Sequence, residues 1–191
     1  MHAVDTCGDV ALVDLDFQSE NRIAGLEYQS HHPRLLRAFL EGLSLDYEKY
    51  SFVDFGCGKG RVLLVASEFP FRRIVGVEFA VPLAEVAKRN VLRYRSRRQK
   101  CRDIAVAAMD AVQYKLPEEP EVLYFYSPFP PAVMEQVFQN IESSLRECPR
   151  DLYVLFSGVL SARDRAFGCR PQYERLRREQ HVDVYRRRPN P

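Results

Sequence analysis

The stretch Tyr50-Ser51-Phe52-Val53-Asp54-Phe55-Gly56-Cys57-Gly58-Lys59-Gly60-Arg61 decides the fold. Residues 50–55 carry apolar side chains at consecutive positions, not only at alternate ones. Such a run suits a parallel strand covered on both faces by helices. It delivers the chain into a bend with Gly56, Gly58 and Gly60 at alternate positions, and a helix is predicted over 60–68 with Val62, Leu63 and Ala66 on one side. Glycines let a backbone turn sharply and come close to a ligand. A helix start behind such a bend offers unsatisfied N–H groups to polar ligand atoms. A dinucleotide fingerprint, G-x-G-x-x-G, needs a third glycine where this chain has Arg61. A P-loop also fails, since Arg61 stands five residues after Gly56 in place of its second glycine. A tight turn without ligand is the plain alternative.

Strand and helix patterns alternate on either side of this bend. Pro33 suits a first helical position, and Leu35, Leu36, Phe39, Leu40 and Leu43 keep the helical period over 33–44. Residues 74–78 form a second strand ending in Glu78. Pro82 opens a helix with an apolar stripe of Leu83, Val86, Ala87, Asn90 or Val91, and Tyr94. A weak strand at 104–107, a strong one at 122–126, a helix after Pro130-Pro131 and a strand at 152–156 follow. Residues 173–178 and 182–187 alternate, as an antiparallel pair at a sheet edge does. The prediction is an α/β fold: a doubly wound, mostly parallel seven-stranded sheet with an antiparallel C-terminal edge hairpin. Ligands of such sheets bind beyond the carboxyl ends of the strands.

Composition sets outer bounds. The 191 residues suffice for one domain, and 28 % of them are charged with a net formal charge of +2, as in globular proteins. Residues 1–27 read as an N-terminal segment or lid, mostly acidic, and 28–191 as the domain. The run 88–102 holds Lys88, Arg89, Arg93, Arg95, Arg97, Arg98, Lys100 and Arg102 with no acid. Tyr94 is its only aromatic, so a solvated helix end is preferred there over a nucleic-acid surface. Five scattered cysteines, without a C-x-x-C pair, argue for a reducing compartment and against a zinc site. His31-His32 reads as a surface turn, and no metal site is expected. The start lacks the pattern of a signal peptide and no run of roughly 20 apolar residues exists, so the expected location is cytoplasmic, without a membrane partner.

Asp54-x-Gly56-x-Gly58-x-Gly60 on the first strand–helix turn resembles motif I of the class I, Rossmann-like methyltransferases that use S-adenosyl-L-methionine (SAM). Glu78 stands 18 residues after Gly60, where that family holds the ribose. Met109-Asp110-Ala111 matches its adenine-reading position, and Ser127-Pro128-Phe129-Pro130 resembles its motif IV. The likeness runs over about residues 28–187. It is greatest for small bacterial members of undefined substrate, and more distant for the non-SET histone lysine methyltransferases, in which Tyr28 would lie over the methionine end of SAM.

The resemblance implies SAM as cofactor, held by Asp54, Gly56, Cys57, Gly58, Gly60, Glu78, Asp110 and Ala111, with Ser127, Pro128, Phe129 and Tyr28 around the transferred methyl. In family members with Asn-Pro-Pro-aromatic at this turn, the asparagine oxygen and a proline carbonyl serve as acceptors, and a serine hydroxyl is less well oriented for an exocyclic base amine. Ser127 makes a small molecule or a protein amine the expected acceptor, although the same hydroxyl also suits a helix cap. Asp110 equally suits a turn, and Cys57 a tight corner. A SAM- or nucleotide-binding module without catalysis, acting through its basic surface, is the alternative. The sequence does not specify an oligomeric state.

Overall fold

The computed structural model describes residues 4–6, 33–126, 129–158, 160–178 and 182–187. Seven strands form one sheet: β1 (Ser51–Phe55), β2 (Arg73–Glu78), β3 (Ile104–Ala108), β4 (Glu121–Tyr126), β5 (Leu152–Ser157), β6 (Tyr173–Arg178) and β7 (Val182–Arg187). Their order across the sheet is β3-β2-β1-β4-β5-β7-β6. The first five run parallel, with Asp54 beside Gly76 on one side and Tyr124 on the other. Strand β7 enters antiparallel between β5 and β6. The predicted doubly wound sheet and its antiparallel hairpin are both present.

Five α-helices are described: α1 (Pro33–Leu43), α2 (Arg61–Ala66), α3 (Val81–Arg93), α4 (Pro131–Glu147) and α5 (Leu160–Phe167). Successive strand side chains point to opposite faces, so each buried strand feeds two cores. Phe52, Ile74, Val122 and Leu155 meet Leu36, Leu40 and Leu63 of α1 and α2. Val53, Phe55, Val77 and Phe125 meet Val137, Phe138 and Ile141 of α4, with Phe167 of α5. Phe55 and Phe125 stack with centroids 4.9 Å apart, locking β1 to β4 on that second face.

Two findings depart from the sequence reading. Helix α5 was not expected, because its central buried position is Arg163, whose Nη1 donates to the buried Asp183 carboxylate of β7 at 2.9 Å. A charged residue on the inward face hides the apolar stripe that marks a packed helix. In α3 the inward residues are Ala84, Ala87 and Asn90, while Leu83 and Val86 are only half-buried. Small side chains are needed there because α3 runs close under the glycine bend: a Cβ on Gly60 would lie 3.2 Å from that of Ala87.

A buried ion pair closes the opposite, amino end of the sheet. Arg150 Nη2 donates to Glu121 Oε2 at 3.0 Å, and the same guanidinium serves the carbonyls of Glu119, Ser144 and Cys148. Burial raises the Glu121 carboxyl to about 8 against the downward pull of Arg150. No helix among the described residues is long and apolar enough to cross a membrane.

Candidate functional site

Strand order reverses at β1: the chain builds β2 and β3 on one side, then β4 and β5 on the other. The bend after β1 therefore sits at the switch point where doubly wound sheets take ligands. The amides of Gly56 and Cys57 both donate to Val77 O, at 2.8 and 3.1 Å, and Gly60 N donates to Cys57 O at 2.8 Å. All three glycines of the bend have positive φ, with Gly58 at +52° and Gly60 at +82°. That left-handed region costs an L side chain about 1–2 kcal/mol. At Gly58 the space is as telling as the angle, since a Cβ there would meet no atom within 4 Å. The loop presents a bare backbone to open space.

Glu78 ends β2 directly beside this bend. One carboxylate oxygen accepts from Gly58 N and the other from Ala80 N, both at 2.8 Å. A carboxylate has about four acceptor positions, so two hydroxyl donors can still be taken. Asp54 lies beneath, at 2 % exposure, and its Oδ2 has no hydrogen-bond partner. Burial, and then the negative charge of Glu78, hold the Asp54 carboxyl well above the usual carboxylate range. A cation reaching Asp54 would satisfy the oxygen and the charge together.

Other expected residues have different surroundings. Cys57 turns its thiol under the loop toward Gly76, where a Cβ would come within 2.7 Å of the sulfur. Burial pushes that thiol far up, so the sulfur stays protonated and packs under the loop. Asp110 caps the short 3-10 turn Ala111–Gln113 by accepting from Val112 N at 2.9 Å. The Ala111 methyl belongs to the second core. The pair nevertheless adjoins the bend through β3, as Met109 N donates to Glu78 O at 3.0 Å. Phe129 is half-buried against the α4-side core, so it packs there in addition to flanking the turn after β4. Tyr28, Ser127, Pro128 and His31-His32 lie outside the described residues.

Three features escaped the sequence reading. Phe79 and Val81, at 59 % and 58 % exposure, place apolar surface next to Glu78. Lys59 and Arg61, at the start of α2, hold Asp5 and Thr6: Lys59 Nζ lies 3.4 Å from the Asp5 carboxylate and Arg61 Nη2 2.6 Å from Thr6 O. Asn90 joins these parts. Its Oδ1 accepts from Asp5 N at 3.0 Å, and its Nδ2 donates to Asp5 O at 2.7 Å and Lys59 O at 2.9 Å. One buried amide thus ties residues 4–6 and the glycine bend to α3. A polar residue on the inward side of a helix was the available signal.

A cavity of about 290 Å³ opens elsewhere, between α4 and the α5–β6 connection. Its wall residues Glu135 and Arg170 pair at 2.6 Å, and Glu142 pairs with Arg187, which leaves Arg146 as the remaining charge of the wall. The switch point, with its orphaned carboxylate oxygen, is the better candidate.

No family model matches the chain, and no curated protein matches it in sequence. Solved structures do match in fold. An RNA methyltransferase from Salinibacter ruber, in complex with S-adenosyl-L-homocysteine, superposes with TM-score 0.53 at 20% identity, over 82% of this chain and 90% of its own. The N-methyltransferase NodS from Bradyrhizobium japonicum gives 0.56 at 16% identity, over 82% and 96%. Magnesium protoporphyrin IX methyltransferase from Synechocystis PCC 6803, with bound SAM, gives 0.55 at 12% identity, over 81% and 78%. The chain has the Rossmann-like fold of class I methyltransferases.

Proposed function

We propose that this protein is a SAM-dependent methyltransferase whose cofactor lies over the β1–α2 bend. The observation that carries the reading is Asp54: a buried carboxyl with an unpartnered oxygen, under a glycine bend that is bare on its open side. The cofactor's amino acid part carries an ammonium group that supplies the missing donor and the compensating charge. Gly56, Gly58 and Gly60 let the backbone close on it without side-chain interference. Glu78 is already oriented by two backbone amides and takes the ribose hydroxyls on its remaining acceptor positions. Phe79 and the Asp110-Ala111 turn flank the place of the adenine, the ring lying against the exposed Phe79 face.

When bound, SAM supplies a methyl on a sulfonium leaving group. The protein's part is then proximity, alignment and exclusion of water. In this reading Ser127 and Pro128 face the acceptor, with Tyr28 over the reacting end. The serine hydroxyl accepts a hydrogen bond from an incoming amine and orients its lone pair. The structural neighbours named above act on chemically different acceptors, so the fold does not select one. A small molecule or protein amine is the reading Ser127 favours.

The test is calorimetry with S-adenosyl-L-homocysteine, followed by incubation of the protein with methyl-labelled SAM and cell extract. Heat of binding that weakens at least tenfold in Glu78→Ala, and label passing to an extract component, are expected. Label retained without transfer would leave a binding module. No heat of binding to either nucleoside would end the proposal.

A further inference from the structure

Helix α3 starts at the carboxyl end of β2, beside Ala80, and ends at the amino end of the sheet, roughly 20 Å away by helical rise. The loop that follows, 94–103, is held against neighbouring elements. Lys100 and Cys101 amides both donate to Ser67 O at 2.7 and 3.0 Å, and Ile74 N donates to Asp103 O at 2.9 Å. These bonds bring the α2–β2 connection, with Arg72 and Arg73, alongside the basic run. Ten cations thus lie along α3, the loop after it and the adjoining start of β2: Arg72, Arg73 and the eight of residues 88–102. All are exposed except the half-buried Lys88.

Few carboxylates oppose them. Asp103 lies 3.8 Å from Arg73, Glu85 pairs with Lys88, and Glu68 is engaged bidentately by Arg37 and touched by Arg98 at 3.9 Å. Arg72, Arg89, Arg93, Arg97, Lys100 and Arg102 make no ion pair among the described residues. The chain as a whole is only +2, so the remainder is net acidic and the positive charge is concentrated here. A solvated helix end accounts for part of it. Arg93 occupies the last turn of α3, and Arg95 Nη1 donates to Leu92 O at 2.8 Å, both favourable to the helix dipole. That effect fades within one turn, and Arg97, Lys100, Arg102 and Arg72 lie beyond it. Arg89 and Arg93, four apart on one helix, repel each other, while Glu85 one turn earlier attracts Arg89.

We propose that this face docks the phosphodiester backbone of a nucleic acid. The proposal needs only surface charge and stands independently of the methyl-transfer reading. Eight of the ten cations are arginine, whose planar fork grips phosphate oxygens two at a time. A membrane surface fits less well, because Leu92 is the sole large hydrophobic exposed on this face among the described residues and α3 turns its small apolar side chains to the sheet. Lys88 and Arg89 lie between Ala87 and Asn90, which touch the glycine bend, and the other eight cations lie farther along α3 and beyond it, so a polymer gripped here would extend away from the bend. Backbone contacts of this kind position a strand without reading its sequence.

Fluorescence anisotropy of the full chain with a labelled single-stranded RNA of mixed sequence tests this, with a DNA strand of the same length as a second arm. With roughly five phosphates neutralised, affinity should fall roughly 100-fold between 50 and 200 mM salt. In the variant carrying Arg93→Glu, Arg97→Glu and Arg102→Glu that salt-dependent fall should shrink to below about tenfold, with affinity at 50 mM lower as well. Arg146→Glu with Arg165→Glu, on exposed positions of α4 and α5, should leave the salt dependence unchanged. Far-UV circular dichroism checks folding of each variant. Should the triple variant not fold, the single Arg102→Gln should still reduce the logarithmic salt slope by about 0.7. Absence of binding at 50 mM, an unaltered slope in the variants, or equal competition by polyglutamate or by phosphatidylserine vesicles would each overturn the proposal.

Discussion

Gly58→Ala separates ligand contact from stability at one methyl group. The backbone at Gly58 has φ +52°, and a Cβ built there meets nothing within 4 Å. In the protein alone the substitution therefore costs only the left-handed conformation, about 1–2 kcal/mol. For a domain of this size that is a fall in melting temperature of roughly 2–8 °C. The added methyl projects into the space that the cofactor would fill, so affinity for S-adenosyl-L-homocysteine should drop by at least about tenfold, or 1.4 kcal/mol. Gly76→Ala is the counterpart. Its Cβ would come within 2.7 Å of both Cys57 Sγ and Leu63 Cδ1, an overpacking of the core worth about 1–3 kcal/mol. Its effect should appear in thermal unfolding, with a smaller effect on binding. Calorimetry and differential scanning calorimetry on both variants give the four numbers. Undiminished affinity in Gly58→Ala, with its melting temperature lowered as expected, would refute the assignment of the open side of the bend to the cofactor.

Two further outcomes follow from the same site. The buried Asp54 carboxyl keeps its proton to higher pH than an unfolded aspartic acid, whose value is about 3.9. The folded state thus binds more protons in that window, and Asp54's contribution to stability declines as pH rises from about 4 through its folded value. A bound ammonium favours the ionised form, so S-adenosyl-L-homocysteine binding below that value should release a proton. Calorimetry in two buffers of different ionisation enthalpy measures it, and Asp54→Asn should abolish the difference; equal heats in wild type would exclude Asp54 as the titrating partner. Asn90→Ala removes three hydrogen bonds that join Asp5 and Lys59 to α3, and should cost about 2 kcal/mol in thermal unfolding while weakening cofactor binding through the loop. An unchanged melting temperature would mean that the amide holds nothing together.

The parts of the fold that could be read from the sequence are those in which one signal dominates. Consecutive apolar residues fixed β1, β4 and β5 as buried parallel strands, and three alternating glycines announced the bend between Phe55 and Arg61. Alternation found β6 and β7 at their observed limits. What stayed hidden depends on partners distant in the chain. Arg163 is buried where Asp183, twenty residues on, pairs with it, so a charge interrupts the inward side of α5. Ala84 and Ala87 face inward because the glycine bend approaches them, and no local period encodes that approach. Asn90 looked interchangeable with Val91 until its three backbone partners were in place. At the site, Glu78 was legible from its distance to Gly60, whereas the value of Phe79 rests on its exposure, which composition does not reveal.

The insertion of β7 between β5 and β6 has a consequence for how the protein is made. Leu152–Ser157 is an apolar strand fully buried in the finished sheet, and one of its edges is covered only by Val182–Arg187. On the ribosome, at roughly 5–20 residues per second, that edge waits roughly 2–6 s for its partner to be synthesised. An uncovered apolar edge is a template for pairing with other chains. Nascent chains stalled between the two strands should therefore be the species that chaperones capture and that aggregates when they are scarce.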